Sequence, residues 1–166
     1  MATSTYTLVN STTLTTGTSS VTFSSLPAAG TYQDLILKID GNFPSAIYPK
    51  VRLNSDSGTN YQYSEISANR FSTNPAGDKS ETYTEIVTSV AYGLKLKNFS
   101  ELTIFDYAMT DRNKTLLCKA MSDPNEGTGI SQTSWRWRSN SAISSIYIFG
   151  GSYPTGTVFE LWGIKA

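Results

Sequence analysis

The sequence predicts an all-β chain: an antiparallel β-sandwich or jelly roll of about ten strands, with little helix. Two observations carry this. Short alternating apolar–polar runs recur almost end to end, separated by turn residues about every 8–15 positions. No segment sustains the 3.6-residue apolar period of a long amphipathic helix.

The elements follow in order. Residues 3–25 contain 15 Ser or Thr among 23 positions, with Tyr6, Leu8, Leu14, Val21 and Phe23 as apolar points. We read two short strands there, the alternative for residues 1–10 being a mobile or partner-bound arm. Leu26-Pro27-Ala28-Ala29-Gly30 is turn chemistry. The clearest strand covers 32–40, where Leu35, Leu37 and Ile39 alternate with Asp34, Ile36 and Lys38. Val51 and Leu53 flank Arg52, and Tyr61-Gln62-Tyr63 resumes the alternation after a polar turn at 54–60. Residues 67–80, with Pro75, Ala76 and Gly77, read as the longest loop, with room for one helical turn within 64–71. Further strands are expected near 82–90, 99–107, 114–121, 132–138, 142–149 and 157–165. One domain accommodates all 166 residues.

Composition narrows the function. Ser and Thr number 23 and 22, while charged residues make up 16% of the chain, against about 25% in ordinary domains. The polar surface is thus built from hydroxyls, which are cheaper to desolvate than lysine or glutamate against a neighbour. Thirteen basic and 13 acidic residues cancel, leaving no long-range field to steer nucleic acid or an anionic bilayer. Histidine is absent, which removes the side chain most used for proton transfer and metal binding near neutral pH. The N-terminus has neither the basic nor the apolar region of a signal peptide, and no run is long enough for a membrane helix. Synthesis in a cytosol is the expectation, with no nucleic-acid and no membrane partner.

Each motif has a modest reading. Asn54-x-Asp56-x-Gly58-x-Asn60 spaces oxygens like part of a calcium loop, but it supplies one carboxylate where six to eight oxygens are needed. A hydrogen-bonded turn is the expectation, with no metal and no cofactor. Cys118, the single cysteine, lies in a strand-like run and reads as a buried, inert thiol. Trp135-Arg136-Trp137-Arg138 puts both indoles on one sheet face and both arginines on the other. We read the indoles as core; a subunit interface and a ligand site are the alternatives. Asp34, Asp40, Asp106 and Glu160 lie in or beside strands, yet no spacing marks a catalytic pair, and a serine triad lacks its base. The chain reads as a non-enzyme.

Several segments in order resemble a family of small bacteriophage virion proteins and related tail-fibre modules. They are 21–27 leading into 32–37, then 51–61, then 142–148, and last 156–165, which contains Phe159-Glu160-Leu161-Trp162-Gly163-Ile164. The resemblance implies a jelly-roll body on a virion surface, either cementing the capsid exterior or forming a fibre knob. It brings no catalytic residues. A chain starting at Met1 with little beyond the sandwich leads us to expect a stand-alone cement or decoration subunit. It would bind where major capsid proteins meet, as a homotrimer at local threefold positions. Tyr6, Leu8, Arg70, Phe71, Arg136 and Arg138 are the expected interface residues. The alternative is a receptor-binding module of a tail fibre or tailspike whose ligand is a host glycan.

Overall fold

A computed structural model of the protein describes residues 5–43, 48–69, 73–86, 96–121 and 129–165. They form twelve strands and no helix. The strands are β1 (Tyr6–Thr13), β2 (Val21–Phe23), β3 (Asp34–Phe43), β4 (Lys50–Leu53), β5 (Tyr61–Asn69) and β6 (Thr73–Glu81). They continue as β7 (Thr84–Glu85), β8 (Leu96–Phe105), β9 (Lys114–Met121), β10 (Gly129–Trp137), β11 (Ile146–Phe149) and β12 (Val158–Ile164). Two antiparallel sheets pack together as a β-sandwich, with orders β1-β12-β3-β8-β9-β10-β5-β6 and β2-β11-β4-β7.

The chain winds between the sheets. Setting aside β5-β6 and β9-β10, the remaining eight strands alternate between the sheets except at β4 and β7, which follow one another within the small sheet: β1, β3, β8 and β12 lie in the large sheet, β2, β4, β7 and β11 in the small one. Their neighbours interleave in the same way, β1-β12-β3-β8 in one sheet and β2-β11-β4-β7 in the other. The two additional strand pairs widen the large sheet beyond β8.

Most expected strands sit where the alternation put them. Residues 6–10, for which an arm was the alternative, pair with β12 in β1. The expected loop at 67–80 is instead largely strand, since 67–69 lie in β5 and 73–80 in β6. Residues 64–69 accordingly make no helical turn. Tertiary pairing overrides the local turn signal here. β5 is held on both sides, by β10 and β6, and β6 is the outermost strand, where a proline costs no ladder bond facing solvent. Of the strand expected at 82–90, only Thr84–Glu85 is strand among the described residues.

The core lies between the sheets. Leu35, Leu37 and Ile39 of β3, Leu102 and Ile104 of β8, Phe159 and Leu161 of β12, and Leu116 and Cys118 of β9 face inward. Phe23, Val51, Leu53, Ile146 and Ile148 join the same cluster from the small sheet. Trp135 and Trp137 belong to it, each 2% exposed, so the indoles do fill the core. The Trp135 ring lies 4.7 Å from that of Tyr63, and Trp137 stacks on Tyr61 at 6.4 Å.

Gly163 explains part of the terminal Leu-Trp-Gly-Ile segment. A Cβ there would meet the Tyr32 ring at 2.5 Å, so the ring occupies the space that any side chain would need. Gly163→Ala is therefore expected to lower unfolding stability by about 1–3 kcal/mol. Chemical denaturation checks this; an unchanged midpoint would show that Tyr32 moves aside freely.

Candidate functional site

The turn between β4 and β5 carries the chain from the small sheet to the large one. Asn54 and Ser55 both have positive φ, 52° and 58°, and the Asp56 amide donates to the Leu53 carbonyl at 3.0 Å. That is the two-residue turn of mirror type, which favours asparagine at its centre. The Asn54 side chain then organises the approach to β11. Its oxygen accepts from the amides of Ser144 (2.8 Å) and Ser145 (3.2 Å), and its nitrogen donates to the Ala142 carbonyl at 2.8 Å. Residues 142–145 are thus a pinned loop ahead of β11, not the start of the strand that alternation suggested.

Asp56 is saturated by protein donors. It accepts from Trp137 Nε1 at 2.7 Å, Asn60 Nδ2 at 2.9 Å and the Gly58 amide at 2.9 Å. The segment is therefore a hydrogen-bonded turn, and among the described residues no group of three potential ligands gathers to hold a metal. Burial opposes the charge on Asp56. The bonds from Trp137, Asn60 and Gly58, with Arg52 nearby, outweigh it and hold the carboxyl below its ordinary value. Tyr61 completes the corner, its hydroxyl accepting from the Leu53 amide at 2.9 Å. Burial raises the Tyr61 phenol above its ordinary value.

Other chemically capable groups are spent on structure. Cys118 is 1% exposed, and burial pushes its thiol up, so it is the inert core residue expected. Lys114 is fully buried; its ammonium donates to the carbonyls of Met109 and Arg112 and closes the loop before β9. Burial lowers its pKa from the ordinary value. Asp34 accepts from the Asp106 amide at 2.8 Å, which fixes the turn after β8. Asp40 stands at the other end of β3, opposite Val158 and Phe99, and Glu160 stands opposite Lys38.

The outer face of the large sheet is the broadest surface the fold presents. Its cross-strand rows begin on β1, where Tyr6 and Leu8 are 52% and 45% exposed. Tyr6, Ile164 and Asp34 stand in one row across β1, β12 and β3, and Phe105, Thr115 and Arg136 in another across β8, β9 and β10, Asp34 and Phe105 each lying one residue past the last β3–β8 pair, Leu35 with Ile104. The fold thus brings Tyr6, Leu8 and Arg136 onto one face from opposite ends of the chain. Arg138 lies just beyond β10, donating to the Thr59 carbonyl beside the Asp56 turn. Arg70 and Phe71 lie outside the described residues. Sequence reasoning missed Trp162, Ile36, Phe105 and Leu117, which share this face; alternation marked their strands, but only the pairing places them side by side.

The outer face of the small sheet is different. Tyr147 and Phe149 stack at 5.1 Å with rings 11° apart, and Tyr83 meets Phe149 edge-on at 6.1 Å. Two cations cover these rings, Lys50 over Tyr83 at 4.3 Å and Arg52 over Phe149 at 4.7 Å. Against family models and curated proteins, the chain matches none.

Two outcomes follow. Asp56→Ala strands the Trp137 indole N–H and should cost about 2–3 kcal/mol at neutral pH in an unfolding titration. A carboxyl whose folded pKa lies below its unfolded one contributes stability above the unfolded value and loses it as pH falls through the folded one. Wild-type stability should accordingly fall in acid below about pH 4, and Asp56→Ala should show a smaller decrement. Matching acid limbs would contradict this. Separately, a thiol reagent should leave native Cys118 unlabelled and label it fully in denaturant; rapid native labelling would refute the buried-thiol assignment.

Proposed function

We propose that the chain is a structural subunit of a bacteriophage virion, a cement or decoration protein on the capsid exterior that binds across junctions between major capsid proteins. The observation that carries this reading is the wide outer face of the large sheet, where the large side chains Tyr6, Leu8 and Phe105 remain exposed among hydroxyls and charges of balanced sign. Exposed aromatic and apolar side chains suit adhesion to protein because they desolvate at low cost, and charges of both signs beside them can pair with a complementary surface. The interleaved winding of eight strands between two sheets supports a jelly-roll body. Groups that could serve as nucleophile or base, Cys118 and Lys114, are buried and engaged, which favours a role without catalysis.

The mechanism follows from linkage. A subunit that binds only the assembled lattice stabilises it by mass action, and many such contacts across a shell add up. The rival reading is a glycan-binding module of a tail fibre or tailspike, favoured by the Tyr147–Phe149 stack, since aromatic faces beside polar side chains suit sugar rings. Against it, Lys50 and Arg52 already cover two of the rings.

The purified chain is expected to bind capsids that lack it and to raise their melting temperature in scanning calorimetry. Absence of capsid binding, with micromolar binding on a glycan array, would falsify the cement reading in favour of the rival.

A further inference from the structure

On the outer face of the large sheet, one row of paired positions reads Glu160, Lys38, Glu101, Lys119 across β12, β3, β8 and β9. All four side chains point away from the core, because their chain neighbours Leu161, Leu37, Leu102 and Cys118 are buried within it. The order is negative, positive, negative, positive. Reversed, it becomes its own complement.

The neighbouring row reads Leu8, Trp162, Ile36, Thr103, Leu117. Ile36 is 6% exposed, tucked between Trp162 and Thr103, while Leu8 remains 45% exposed at the rim. Among the described residues, three of the four large exposed hydrophobics, Tyr6, Leu8 and Phe105, lie on this one face. Inside the chain Lys119 approaches Glu101 at 3.9 Å, Lys38 lies 5.5 Å from the Trp162 ring centre, and Glu160 accepts from the Trp162 indole N–H at 3.0 Å, which leaves its carboxylate on this face with further acceptor capacity.

We propose that this face binds a second copy of the chain, in a two-fold pair whose axis runs along the strands between β3 and β8. That rotation lays β3 of one copy over β8 of the other, and β12 over β9. Lys38 then meets Glu101 of the partner subunit, and Glu160 meets Lys119 of the partner subunit, with the reciprocal pairs repeated by symmetry. In the next row Trp162 lies over Leu117 of the partner subunit. A two-fold axis along the charged row itself would set each charge against its own copy. The complementarity therefore selects one axis.

The size is adequate. The axis leaves β1, β12 and β3 on one side and lays them against β8, β9 and β10 of the partner subunit, with β5 and β6 extending beyond the overlap. Six strands at about 4.8 Å spacing and seven residues at about 3.3 Å span roughly 29 Å by 23 Å. That approaches the roughly 800 Å² per partner of a standard interface. An unrelated partner would have to supply the same alternating row, whereas a second copy carries it already. The row favours two-fold pairs over the trimers that the family resemblance implies. The pairing draws on the same face as the cement reading, so a pair would have to open before that face met a capsid; pairing is measured without capsids and capsid binding with them, so the failure of one is distinguishable from the failure of the other.

Charge exchange tests it. Sedimentation velocity should show the wild-type chain dimerising in low salt, with the dissociation constant rising at least tenfold in 0.5 M salt. Lys38→Glu alone and Glu101→Lys alone each create like-charge pairs across the axis and should weaken dimerisation at least tenfold. Mixed in equal amounts, the two variants should regain wild-type association, because every facing pair is again opposite in sign. The exposed Lys119→Glu, which leaves the packing untouched, should weaken dimerisation in the same direction. A monomeric wild-type chain at 0.1 mM, variants that dimerise as the wild type does, or a mixture that stays monomeric would each overturn the proposal.

Discussion

A single carboxylate fastens the sandwich where the chain crosses between its sheets. Asp56 sits in the turn that leaves the small sheet and takes the indole proton of Trp137 from the end of β10 in the large one. A buried indole N–H left unpaired there would cost about 1–3 kcal/mol, so the contact is hard to lose without loosening both sheets. Asn54, two residues earlier, ties the loop before β11 to the same turn, and Tyr61, five residues later, closes it from β5. Eight residues, 54–61, therefore tie together strands that are distant in sequence.

This arrangement also accounts for what the polar residues do. The motif at 54–60 spaces its oxygens like a cation loop, yet the side-chain oxygens of Asn54 and Asp56 are spent on protein donors, and Asn60 supplies one of those donors. Lys114 and Asp34 are likewise absorbed in closing turns. Among the described residues these groups hold turns and loops, and the proposed function rests on the faces instead. Their composition, rich in hydroxyls and aromatics and balanced in charge, is suited to contact with protein.

The alternation within a strand was legible because it is local. Leu35, Leu37 and Ile39 against Ile36 and Lys38 announced both the strand and its buried side, and Trp135 and Trp137 announced theirs. The hairpin of β5 and β6 was not legible. Pro75 and Gly77 are turn residues by any local measure, and only an outermost position in a sheet lets them be strand. The rows of the outer face were hidden for a deeper reason. Glu160, Lys38, Glu101 and Lys119 come from four segments separated by most of the chain, and their order exists only after the sheet has formed. Of the expected interface residues, Tyr6, Leu8 and Arg136 do share that face, a juxtaposition that spacing in the sequence does not foretell.

The central claim is that the exposed side of the large sheet is a contact surface. Hydroxyl-radical footprinting of the chain, dilute and then concentrated, addresses it most directly. Tyr6, Phe105 and Trp162 should become protected as concentration rises, while Tyr83 and Tyr147 on the far side keep their reactivity. Unchanged labelling of the first three, or protection confined to the last two, would contradict the account.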